Sequence, residues 1–179
     1  MTGVHLDAIA LLKADHRKVA GLFAQFEAAK GADKKQALVK QICTELTVHT
    51  VIEEEIFYPA CRGQIDDGLV KEAYVEHDCA KVLIAELEAG APDEDFYDAK
   101  VKVLSEQIEH HVKEEEVPSE GMFSQARAAG LDMDDLGARM AARKAALTAQ
   151  IKADGLREPK TRTFVGHELE HAARADASA

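Results

Sequence analysis

No stretch of the 179 residues approaches the roughly 18 consecutive apolar side chains that a membrane span requires. Met1 to Lys13 has no basic region followed by an apolar run, so no signal peptide is expected and the chain is expected in the cytoplasm. Cysteine is scarce: Cys43, Cys61 and Cys79 form no CxxC pair, and an odd count suits reduced thiols, each expected to pack as a small hydrophobe. Basic charge is also short. Lys plus Arg number 22 against 33 Asp plus Glu, a net charge of −11, which argues against a nucleic-acid partner. No Rossmann fingerprint, P-loop or flavin motif is present, so any electrons must come from an unidentified donor. Serine and cysteine nucleophile signatures are missing too. Alternating strand patterns are almost absent.

What remains is helical periodicity. The spacing predicts a first helix over about Leu6 to Lys30, with an inward stripe of Ile9, Leu12, His16, Val19, Phe23 and Phe26. A second runs from about Lys34 to Phe57 through Val39, Ile42, Leu46, His49, Glu53 and Ile56, and Pro59 is expected to stop it. A third spans about Leu69 to Ala89 through Val70, Ala73, His77, Ala80, Ile84 and Leu87. A fourth spans about Asp93 to Glu116 through Tyr97, Val101, Leu104, Ile108, His111 and Glu115, until Pro118 and Gly121 interrupt it. An amphipathic segment follows over about 132–152, carrying Leu136, Met140, Leu147 and Ile151. The expected organisation is an all-α, up-down-up-down antiparallel four-helix bundle over residues 1–127, a C-terminal helix over 128–152 and a polar, mobile tail over 153–179.

The stripes hold residues that a plain apolar bundle would not place there. Each contains a histidine, and two contain a glutamate. The halves repeat: Asp15-His16 aligns with Glu76-His77, His16 and His49 are 33 apart, and His77 and His111 are 34 apart. Each half ends in HxxxE, at His49/Glu53 and His111/Glu115. Residues i and i+4 share a helical face, so each pair can serve one metal or reach a second. Four imidazoles and two carboxylates on one axis suit a pair of first-row metals, and a metal pair offsets the cost of burying the carboxylates. His110 and Glu114 have the same spacing as His111 and Glu115; the stripe and the repeat favour the latter pair. Glu54, Glu55 and Glu116 are expected to be solvated. His5, His167 and His171 fall outside the pattern, although His167xxxHis171 has metal-binding spacing.

Over roughly residues 5 to 127 the chain resembles the hemerythrin-like HHE cation-binding family. Ala14-Asp15-His16, the run from His49 to Pro59, Glu76-His77-Asp78 and the run from His110 to Glu116 carry the resemblance. It implies two iron ions in an oxo- or hydroxo-bridged centre, with His16, His49, Glu53, His77, His111 and Glu115 as metal ligands and the two glutamates as bridges. The chain departs from the oxygen-carrying hemerythrins, which have an HxxxH on the third helix; here Lys81 follows His77 by four and Ala73 precedes it by four. Tyr58 and Tyr74 are candidates to fill or support the open position. Open positions favour chemistry at the metal over protected oxygen carriage. The expected function is binding and reaction with oxygen, peroxide or nitric oxide in stress response, as a diiron oxidoreductase if it is an enzyme. The alternative is an iron- or oxygen-responsive sensing module. Storage fits poorly, since ferritin-like sites use ExxH.

Overall fold

A computed structural model describes residues 7–166; His5, His167 and His171 lie outside them. The elements are α1 (Ala8–Ala28), α2 (Ala32–Ile52), a π-helical turn (Glu53–Phe57), α3 (Tyr58–Cys61), α4 (Asp67–Ala89), α5 (Tyr97–Glu116), α6 (Met122–Ala128) and α7 (Met133–Asp154). No strand occurs among the described residues, and none of their helices is long and apolar enough to cross a membrane. The Asp7 carboxylate caps α1 by accepting from the Ala10 N–H at 2.7 Å. Gly31, at φ 90°, takes the turn into α2, a conformation in which a side chain would be strained.

Helices α1, α2, α4 and α5 pack as a four-membered ring, each on its neighbours, and α7 lies across α1 and α2. Their apolar stripes close two clusters. Val19, Phe23, Phe26, Ile42, Leu46, Ile84 and Leu104 belong to one. Leu12, Ile52, Phe57, Val70, Met122, Phe123 and Met140 belong to the other. The histidines and glutamates occupy the layer between them. Burying two such clusters is what makes a polar layer tolerable in mid-bundle, since side-chain burial of this kind is worth roughly 1.5–3 kcal/mol per large apolar residue.

Two expectations need correction, and one helix was not predicted. Pro59 does not stop the second helix: the chain passes through the π turn and runs on to Cys61, with Pro59 in the first turn of α3. A π turn already breaks the α-helical hydrogen-bond pattern, so the missing proline N–H costs less there. The same extra residue turns Phe57 inward in place of Ile56; Phe57 is fully buried and Ile56 is only partly so. The interruption at Pro118 and Gly121 leads into another helix, α6, which returns Met122 and Phe123 to the core. Gly121 is required there: a Cβ would lie 2.6–2.7 Å from the carbonyls of Val117 and Glu115 and the Val117 nitrogen. Of the three cysteines, Cys43 and Cys61 are buried and Cys79 is half-buried, and all are free.

Candidate metal centre

α1, α2, α4 and α5 supply His16, His49, His77 and His111, and each of these is buried. Their Nε2 atoms meet on the bundle axis in two pairs. His16 and His49 approach to 3.2 Å, and His77 and His111 to 3.3 Å. Glu53 and Glu115 lie between the pairs. One Glu53 oxygen is 3.1 Å from His49 and 3.3 Å from His77. Glu115 reaches His16 at 3.3 Å with one oxygen and His111 at 3.6 Å with the other. Neither glutamate is more than 1% exposed. Glu53 Oε1 and Glu115 Oε2 have no hydrogen-bond donor, which is costly for a buried carboxylate. The ligand atoms form two sets close enough for one ion each: His16, His49, Glu53 and Glu115, and then Glu53, His77 and His111. The six residues predicted from the spacing therefore come together. His110 and Glu114 point outward and pair with each other at 3.3 Å, with the His110 side chain 62% exposed.

Behind the imidazoles stands a second ring of acids. His16 Nδ1 meets Glu116 at 2.7 Å, His111 Nδ1 meets Glu76 at 2.7 Å, and His77 Nδ1 meets Glu54 at 3.2 Å. Asp15 faces His49 Nδ1 at 3.7 Å. A carboxylate behind Nδ1 holds the proton there and turns the Nε2 lone pair toward the axis. The pattern follows the repeat. The acid preceding each lone histidine (Asp15, Glu76) serves the next helix of its own half. The acid following each axial glutamate (Glu54, Glu116) crosses to the lone histidine of the other half. Glu54, expected to be solvated, is 6% exposed, and Glu116 is half-buried against His16; Glu55 does face solvent, where it pairs with Arg143. Adjacency in the motifs was the available signal: each of these four acids is next in sequence to a predicted ligand.

Tyr58 stands inside the site. Its hydroxyl is 3.1 Å from His77 Nε2 and from Glu115, and 3.4 Å from His111 Nε2 and Glu53. The π turn puts it there. The Tyr58 N–H bonds to the Glu53 carbonyl five residues back, so the two side chains share a face that α-helical spacing would have separated. Tyr74 stays outside: its hydroxyl donates to the Glu54 carbonyl at 3.5 Å, and its ring meets that of Tyr58 edge-on at 5.3 Å. Phe123 from α6 stacks on the His16 ring at 5.8 Å.

The charges respond to this crowding. Burial opposes a charged His49, but Glu53, Asp15 and Glu115 overcome it and lift its pKa to about 10. Burial likewise opposes a charged His111, and Glu115, Glu76 and Glu53 lift it to about 9. Glu53 is held well below the usual carboxylate range despite its burial, by His49 and His77. Burial pushes the Tyr58 phenol well up, and the charges of Glu115 and Glu53 push it further. Protons on His49 and His111 thus offset part of the negative charge that a cation would offset. The donor set, hard carboxylates and borderline imidazoles with orphaned buried oxygens, fits a pair of first-row transition ions. On the side of the layer away from Tyr58, a cavity of about 10 Å³ touches all four histidines and is walled by Val19, Leu46, Ile108 and Val112. That is about the room one water-sized molecule needs.

The family model described as the hemerythrin HHE cation binding domain matches residues 7–126. A DNA nickase from Nostoc sp. is 31% identical over 106 residues, 59% of this chain and 30% of that protein, so the chain spans less than a third of that relative. A crystal structure of a hemerythrin HHE cation binding domain-containing protein from Mycobacterium kansasii superposes with a TM-score of 0.68 at 23% identity, covering 84% of this chain and 95% of that one. At that identity the likeness concerns the fold.

Proposed function

The chain belongs to the hemerythrin HHE cation-binding family, and from that premise we propose that it holds two iron ions and uses them to bind and react with a small oxidant or gas: oxygen, peroxide or nitric oxide. One observation carries the reading. Four imidazole Nε2 atoms and two buried carboxylates converge on one axis, each imidazole backed by an acid, and a pair of cations would complete that arrangement. In this reading His16 and His49 would hold one ion and His77 and His111 the other, with Glu53 and Glu115 available to both. Tyr58 stands beside His77 and His111, where the chain lacks the further third-helix histidine. Bound iron would supply one-electron redox steps and exchangeable coordination positions. The protein supplies orientation, exclusion of water, and a wall of Val19, Leu46, Ile108 and Val112 that admits something small. The reductant is an external electron donor, and the setting is the cytoplasm, in keeping with three free thiols.

A nucleic-acid substrate is not part of the proposal, since a net charge of −11 opposes phosphate binding and under a third of the nickase is matched. A second reading, a sensing module, is favoured by the contacts that α7 and the segment after it make with the acids behind the histidines. Metal analysis and visible spectra of protein produced with iron, before and after peroxide and nitric oxide, separate the two. Two irons with a spectrum that responds to either molecule support the reactive reading. Two irons with an inert spectrum support sensing. Absence of iron, or a single zinc, overturns the ligand set.

A further inference from the structure

The family match ends at residue 126, yet two cations beyond it reach the acids behind the histidines. Lys144, on α7, bonds Asp15, the acid facing His49. Arg162, on the segment after α7, donates from Nε to Glu54 at 2.8 Å, and Glu54 meets His77 Nδ1. We propose that the C-terminal extension is part of the metal site, with Lys144 and Arg162 as positioning residues that act through Asp15 and Glu54 on one histidine of each metal pair. The proposal rests on the two-metal reading above.

The anchoring is deliberate in its geometry. Asp78, adjacent to His77 and fully buried, accepts the Arg162 N–H at 2.7 Å, the Thr163 N–H at 2.6 Å and the Thr163 hydroxyl at 2.8 Å through one oxygen, while Lys81 donates to the other at 2.9 Å. Lys81 also donates to Glu54 at 2.6 Å. Around residues 155–162 the segment bridges a cavity of about 560 Å³ between itself, α2 and α7, so packing alone does not fix it. Leu156 packs against the apolar cluster at its start, and farther along these bonds hold the segment, ending on the two acids flanking His77 in space. An acid free to turn away from Nδ1 would no longer fix the tautomer that presents Nε2 to the metal. A cation on the far side of the acid removes that freedom. Lys144 does the same for Asp15, whose other oxygen is left facing His49.

The test uses full-length protein and the variants Arg162→Ala, Arg162→Lys, Lys144→Ala and Arg157→Ala. Arg157 lies on the same segment but meets Asp154 at 3.7 Å and donates to the Gln150 amide oxygen at 2.8 Å, neither of which stands behind a histidine, so it controls for net charge. Iron(II) binding under anaerobic chelator competition should show one of two binding steps weakened about 10-fold in Arg162→Ala and in Lys144→Ala. The control should match the wild type, and Arg162→Lys should recover part of the loss. Nitrogen NMR of the metal-free protein supplies a second readout: Arg162→Ala should broaden or shift the His77 Nδ1 resonance while helicity is unchanged. Equal affinities in all variants, together with an unmoved His77 resonance, overturn the proposal. If wild-type protein fails to take two ions, the two-metal reading falls, and the NMR comparison still decides whether Arg162 positions His77.

Discussion

Replacing Tyr58 by phenylalanine removes one oxygen from the middle of the site and leaves the ring in place. The side chain is fully buried, so no cavity larger than the hydroxyl is created and no solvent replaces it. Glu115 Oε1 then loses its 3.1 Å donor and keeps only His111 at 3.6 Å. A hydrogen bond to a carboxylate is worth about 1.5–3 kcal/mol, and this one has no water to turn to. In metal-free protein the variant should therefore be less stable by that amount. For a chain of this length each kcal/mol moves the melting temperature about 2–4 °C, so a fall of about 3–12 °C is expected. Urea unfolding at pH 7 in the presence of a chelator, with the Glu115→Gln variant and the double variant completing a cycle, measures it. Coupling between the two substitutions should exceed about 0.5 kcal/mol, as for residues in contact. Unchanged stability with no coupling would refute the placement of the hydroxyl on Glu115, and with it the role assigned to the π turn.

Other outcomes follow from the same geometry. Raised pKa values at His49 and His111, about 10 and about 9 against 6.5, mean that the folded metal-free protein binds these protons more tightly than the unfolded chain. That stabilisation is complete below pH 6.5 and should be lost as the pH rises through 9 to 10, whereas the depressed Glu53 contributes above about 4.5 and loses its contribution on acidification. Melting temperatures across pH check both arms, and a metal-free protein that gains stability from pH 8 to 10 would contradict the first. Adding metal to about 1,000 times its dissociation constant should stabilise by about 4 kcal/mol, some 8–16 °C, reversible by chelator in a calorimeter. His111→Ala should lose one ion per chain by metal analysis, and His110→Ala should lose none. Gly121→Ala should cost about 1–3 kcal/mol in urea melts, because its Cβ would collide with backbone atoms just beyond Glu115.

How much of this was readable in the chain depends on the period of each signal. The stripes of α1 and α4 are buried as spaced, every residue from Ile9 to Phe26 and from Val70 to Leu87. A 3.6-residue period is strong when sustained over five turns, and the four histidines are in phase with it. The second stripe held through Glu53 and then failed at Ile56, because the π turn adds a residue that no hydrophobic period announces. Tyr58 was therefore a candidate by proximity, and its entry into the site depends on a local change of helix type. Helix α6 escaped because Pro118 and Gly121 read as an end, while seven residues are too few to show a period. Arg162 and Thr163 were unreadable for another reason. They bond across 84 to 108 residues to Asp78 and Glu54, and nothing in a polar segment declares a partner that distant.

The two halves are alike in their ligands and unlike in what surrounds them, and this difference bears on chemistry. Each half contributes one lone histidine, one HxxxE pair and two acids placed behind imidazoles, so the ring of acids alone would make the two metal positions equivalent. Tyr58 breaks that equivalence by contacting His77 and His111 and neither His16 nor His49. Phe123 breaks it again, stacking on His16 and closing that end with an apolar face. The His77 and His111 position is thus bounded by a polar oxygen, the His16 and His49 position by an aromatic ring. The small cavity lies on the opposite side of the histidine layer from the phenol and touches all four imidazoles but neither Tyr58 nor the two glutamates. Were two ions held there, the one on His77 and His111 would have a phenol beside it and the one on His16 and His49 an aromatic ring, so the two positions would differ in the polarity of their surroundings.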